Sequence, residues 1–131
     1  MALGSEMIED RKHWWSSRRR RYNAGLLVAG AVSYMLYVAI AWTWSDQLPC
    51  VEITAFTVVF QAVGFLLAML VANLFYQLGP FAERLIEPKS PEKFRMSIFA
   101  LGFWFSAALP FIVPAAALLP ILGLLPVSSC D

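Results

Sequence analysis

Residues 18–44 read RRRRYNAGLLVAGAVSYMLYVAIAWTW, and this stretch decides the fold class. Four arginines and a tyrosine lead into residues 23–44, a run of 22 without Asp, Glu, Lys, Arg or His. A helix rises 1.5 Å per residue, so about 20 apolar residues cross the roughly 30 Å hydrocarbon core of a bilayer. Two further uncharged runs of sufficient length follow, residues 53–78 and 96–127. The chain as a whole is 60% hydrophobic and 15% charged over 131 residues. A soluble domain is about 45–50% apolar and about 25% charged, and one this small buries the smallest fraction of its surface. The composition excludes an ordinary soluble globule and a disordered chain. The expected fold is an all-α membrane protein with three transmembrane helices.

Net charge is only +1, but all ten Lys and Arg residues fall in segments 1–22 and 79–95. Two crossings between those segments put them on one face, and the positive-inside bias makes that face cytoplasmic. The expected topology has the N-terminus in and the C-terminus out. Residues 1–22 form a basic cytoplasmic or interfacial segment, 23–127 the three-span domain with a cytoplasmic loop at 79–95, and 128–131 an outer tail. A bacterial inner membrane is the expected location. Trp14, Trp15, Tyr22 and Tyr76 mark inner helix ends and Trp42 and Trp44 an outer one, where amphipathic rings prefer the headgroup level. A cleaved leader shares the basic start and the small Ala39-Ile40-Ala41 triplet; the run is read as a span instead.

The joints carry local signals. Gly79 is expected to close span two in the left-handed conformation, with Pro80 opening the next helix. Phe81, Ala82, Leu85 and Ile86 then recur at helical spacing among Glu83, Arg84 and Glu87, which reads as a short interfacial helix ended by Pro88. Ser90-Pro91-Glu92 fits N-cap, first-turn proline and first-turn acid. Pro110, Pro114, Pro120 and Pro126 punctuate the over-long third run, which is expected to be proline-kinked; the alternative is a re-entrant hairpin turning at residues 111–114.

Small residues at four-residue steps supply candidate packing seams: Gly25, Ala29 and Ser33; Gly64, Ala68 and Ala72; Gly102 and Ser106. Close backbone approach is the main association force between helices in lipid. Thr54, Thr57, Gln61 and Asn73 are the intramembrane polar groups of span two. An unpartnered amide in hydrocarbon costs several kcal/mol, so Gln61 and Asn73 should bond another helix, with Tyr34 and Tyr37 as partners, or another subunit. Arg18, Arg19, Arg20 and Arg21 are placed for lipid headgroups, each attracted by about 1 kcal/mol to an anionic surface. A basic run also suits nucleic acid; the adjoining span argues for lipid, and no nucleic acid is expected. Cys50 and Cys130 fall on the outer face and are candidates for a disulfide.

No ionisable residue lies in any run, which argues against proton relays and ion-coupled transport. The single histidine is His13, and neither a catalytic set nor a metal or cofactor site is legible. The expected function is non-enzymatic: an accessory, scaffolding or self-assembling subunit that works by helix packing in a homo-oligomer or larger membrane complex. A homo-oligomeric pore or small transporter lined by Thr54, Thr57 and Gln61 is the alternative, followed by a membrane enzyme completed by a partner.

Overall fold

A computed structural model, described over residues 2–48 and 54–126, is helical throughout its regular structure. Helix α1 (Ala2–Thr43) is a single run of 42 residues. At 1.5 Å per residue it is about 63 Å long, roughly twice a hydrocarbon core. No Gly or Pro interrupts residues 5–24, so the basic segment continues the helix of the first apolar run. After a 3₁₀ turn (Ser45–Gln47), α2 (Ala55–Tyr76) begins at a reciprocal cap: the Thr57 amide donates to Thr54 Oγ1 at 3.3 Å, and the Thr54 amide donates to Thr57 Oγ1 at 2.8 Å. Then come α3 (Leu78–Ile86), α4 (Pro91–Ala108), a 3₁₀ turn (Leu109–Phe111) and α5 (Ile112–Ile121). Three helical stretches, Gly4–Thr43, Ala55–Ile86 and Pro91–Ile121, are long and apolar enough to cross a membrane. Each contains most of one uncharged run and extends into a charged flank, as suits a multi-pass membrane protein.

Two joints differ from expectation. The α2–α3 break is Gln77, which keeps right-handed helical dihedrals, and Gly79 lies inside α3. The left-handed residue is Glu87 (φ 44°), which ends α3. Gly79 serves another purpose, since a Cβ there would overlap the Trp15 indole. Ser90 occupies the N-cap of α4 with proline in the first turn, but its side chain makes no cap bond.

The third run does not turn back. Ala108, Leu109, Phe111 and Ile112 all have right-handed helical dihedrals, which leaves no chain reversal at residues 111–114 and overturns the hairpin alternative. The local disturbance has a visible remedy. Pro114 has no N–H to give the carbonyl four residues back, and the Ser33 hydroxyl of α1 donates to that Pro110 carbonyl at 2.7 Å. Ser33→Ala should cost about 1 kcal/mol, the net value of one such bond, measured by denaturant unfolding in detergent.

The core is aromatic. Tyr22, Leu26 and Ala72 are buried, with Met69, Tyr76, Phe99 and Phe103 packed on them. Trp15 and Tyr22, expected at the headgroup level, instead face into the bundle at 4% and 2% exposure. They sit on the side of α1 that meets α2, α3 and α4, where ring stacking and a polar tip are both satisfied.

Candidate functional site

The described residues place their buried charge at one end of the bundle. Glu83 projects from α3 opposite the exposed Leu78, Phe81 and Leu85, toward α1 and α4. Its Oε2 accepts from Trp15 Nε1 at 2.9 Å. Its Oε1 accepts from Arg95 Nε at 2.9 Å and lies 2.7 Å from Arg95 Nη2, the two-nitrogen approach that suits a guanidinium fork. Arg95 Nη1 donates to Asp10 at 2.8 Å. Arg11 Nε stands 3.3 Å from Glu83 Oε1 without hydrogen-bond geometry. Burial alone would raise the Glu83 carboxyl, but hydrogen bonds from Arg95 and Trp15 and the charges of Arg95 and Arg11 outweigh it and hold the group below its usual 4.5. The bonds to Glu83 and Asp10, working against burial, raise the Arg95 guanidinium.

Because the folded Glu83 is the stronger acid, its contribution is complete above the ordinary carboxylate range and is lost as pH falls through its depressed value. Unfolding free energy should therefore drop on acidification below about pH 4.5. Glu83→Gln should flatten that limb while lowering stability at pH 7; an unaltered acid limb in the variant would show that other carboxylates set it.

A second polar node lies deeper. Tyr22 donates to the Ala72 carbonyl at 3.1 Å. Its single proton is thereby committed, so the Ser106 hydroxyl, 2.8 Å away, is the donor in their contact. Tyr22 thus joins α1, α2 and α4. One residue on, Asn73 donates to Asn23 Oδ1 at 2.8 Å and to the Met69 carbonyl at 3.0 Å, and Tyr76 donates to the Trp15 carbonyl at 2.6 Å. The partner of Asn73 is therefore Asn23, not Tyr34 or Tyr37.

The remaining sequence-derived residues divide. Gly25 lies under the Phe103 ring, Ala29 is half-buried, and Ser33, Ala72 and Ser106 are buried. A Cβ at Gly64 or Gly102 would meet nothing within 4 Å, and Ala68 is exposed; the chain's own described helices do not pack on those three. The reason is aromatic bulk: on α2 the contact line runs through half-buried Phe65, Met69 and Tyr76, one step round from Gly64 and Ala68. Phe65 rests on Gly30, a close contact absent from the small-residue seams. Tyr22 facing Ala72, Asn23 facing Asn73 and Gly30 facing Phe65 fix an antiparallel register that brings Gln61 level with Tyr34. Both are half-buried, yet no hydrogen bond joins Gln61 to any described residue. Thr54 and Thr57 are engaged in the α2 cap. Arg18 lies over the Trp14 ring, 3.8 Å from its centroid, and Arg19, Arg20 and Arg21 are exposed. Cys50 and Cys130 lie outside the described residues.

Among the described residues no group of three or more His, Cys, Asp and Glu side chains could hold a metal ion. What the arrangement does chemically is fasten helices. Comparison with protein-family models, curated proteins and solved structures finds no match.

Proposed function

We propose that this is a small three-span membrane subunit, N-terminus in and C-terminus out in a bacterial inner membrane, which acts without catalysis by packing against further chains, its own copies first. One observation carries the reading: Gln61, half-buried and without a bond to any described residue, adjoins the open Gly64 and Ala68 on the span that packs least. Only 6% of the apolar stretch of that span is buried, against 22% for the first. Tyr22, Ser33, Asn73 and Ser106 find their partners within the bundle, whereas an amide at this depth gains from a partner across an interface. In the same reading α3 lies at the inner interface and the third span bends at its 3₁₀ turn.

Ala68→Leu is the sharp test. The side chain is exposed, so the fold of the single chain should keep its stability, while overpacking of a seam between copies should cost about 1–3 kcal/mol. A smaller detergent-solubilised particle is the expected result, by light scattering with the detergent mass subtracted. Undiminished particle mass would count against self-assembly through this face. Gln61→Leu should weaken assembly more gently, near the ~0.6 kcal/mol typical of interhelical bonds. Reproducible ionic conductance of the wild type in liposomes, reduced by Gln61→Leu at constant particle mass, would favour a pore instead.

Topology has its own check. Cys50 and Cys130 should react with an impermeant thiol reagent from outside after reduction, since the cations put the N-terminal face inside. Labelling of Cys130 only after the membrane is permeabilised would reverse that assignment.

A further inference from the structure

We propose that Arg18, Arg19, Arg20 and Arg21 form a collar that binds the phosphates of anionic phospholipids, drawn to a level one to two helical turns inside the end of the bundle. The inference rests on the membrane-spanning reading and deepens the headgroup contact expected of these residues by fixing its level and its phosphate chemistry. The register of Tyr22 with Ala72 and Asn23 with Asn73 continues to set the four arginines beside the last turn of α2, residues 74–77. The apolar surface does not end there. Helix α3 runs on beside α1, as the bond from Trp15 to Glu83 requires, and exposes Leu78, Phe81, Leu85 and Ile86. On the other flank, α4 between Arg95, paired with Asp10, and Ser106, paired with Tyr22, exposes Met96 and Leu101. The collar is thus bracketed by hydrocarbon-compatible surface on the side that faces water.

The positive charge of the collar, unpaired among the described residues, calls for an anionic occupant. Glu83 is held by Arg95 and Arg11, and Asp10 by Arg95. Among the described residues no carboxylate pairs with Arg18, Arg19, Arg20 or Arg21. Four cations succeed one another over about 5 Å of helix, at steps of about 100° around it. Helical side chains lean toward the N-terminus, so these guanidiniums reach down toward the headgroups and present planar forks suited to phosphate. Arg18 is held at this level by the Trp14 ring, and Arg19, Arg20 and Arg21 are exposed.

The test uses the full chain reconstituted in phosphatidylcholine vesicles that carry phosphatidylglycerol in both leaflets, so the result does not depend on orientation. Quenching of tryptophan fluorescence by brominated phosphatidylglycerol is compared with quenching by brominated phosphatidylcholine, because Trp14 and Trp15 adjoin the collar. The wild type should prefer the anionic lipid. Arg20→Gln should lower the preference ratio by about fivefold, the equivalent of about 1 kcal/mol per cation, and replacing all four arginines by glutamine should bring it near one. Lys89→Gln with Lys93→Gln should leave it unchanged. Equal quenching by the two lipids in the wild type, or a preference that survives all four substitutions, overturns the proposal. Quenching by neither lipid would mean that the chain does not insert, which removes the spanning reading as well. Loss of the preference in 0.5 M salt with the four-glutamine ratio unaltered would complete the expected pattern, since exposed charge interactions are screened.

Discussion

Arg95→Met is expected to destabilise the chain by about 3 kcal/mol, the lower end of the range for removing one partner of a buried ion pair. The low end applies because Arg11 remains near Glu83 and because Asp10, the other acceptor, is 69% exposed. The loss has two parts. Glu83, 3% exposed, keeps its charge but loses two of its short contacts. The bridge from α3 to the N-terminal half of α1, which runs through Arg95 to Asp10, is also cut. Substituting both Glu83 and Arg95 by residues of similar volume, Glu83→Leu with Arg95→Met, removes the unpaired charge and should restore much of the stability. A double-mutant cycle in denaturant should therefore give a coupling of roughly 1–3 kcal/mol. Additive single losses would show that the two side chains act independently, whatever their separation. Helix content and particle mass need to be followed together, since a chain that loses only the N-terminal half of α1 keeps its three apolar helices.

How far such features can be read from sequence depends on the range of the physics involved. The uncharged runs announce the spans because hydrocarbon tolerates few charges over about 20 residues. The α2 cap is local too, with Thr54 and Thr57 three residues apart, yet their hydroxyls equally suit polar groups within the span, which is the role the sequence suggests for them. The cluster at Glu83 is not local. Its donors come from positions 15 and 95, and in sequence all three residues resemble ordinary polar flanks of membrane helices. Helix α3 misleads in particular, since its apolar side is exposed while Gly79 and Glu83 are buried. In water that would be an inverted amphipathic helix; beside lipid it is the expected sense, with an acid turned inward onto its cations. A glycine four residues before that acid was the available hint, since it clears space for a large side chain from elsewhere. The same limit explains Asn23 and Asn73, whose pairing needs the α1–α2 register, and Gly30, whose use is apparent only once Phe65 lies on it.

Tyr22→Ala should produce the largest single loss, about 3–5 kcal/mol, the usual cost of deleting a buried aromatic side chain. Tyr22 is 2% exposed. Its ring lies 4.8 Å from Tyr76 and 6.3 Å from both Phe99 and Phe103, centroid to centroid, so removal opens a void among rings on α2 and α4 at once. Lipid-facing substitutions offer the contrast: Leu101, 72% exposed, should tolerate alanine with a far smaller loss, because lipid fills the space. Tyr22→Phe separates packing from hydrogen bonding. It keeps the ring, leaves the Ala72 carbonyl without the tyrosine proton and leaves Ser106 to find another acceptor. The expected cost is about 1–2 kcal/mol, from bonds worth about 1 kcal/mol each in net terms. Ser106→Ala removes only the second bond and should cost less than Tyr22→Phe. If Tyr22→Phe were neutral while Tyr22→Ala remained severe, the ring alone would hold the three helices together and the hydroxyl would be dispensable. If the two variants cost the same, the polar node would dominate the junction. The ordering expected from the geometry is Tyr22→Ala, then Tyr22→Phe, then Ser106→Ala, read as shifts in the unfolding midpoint at constant slope.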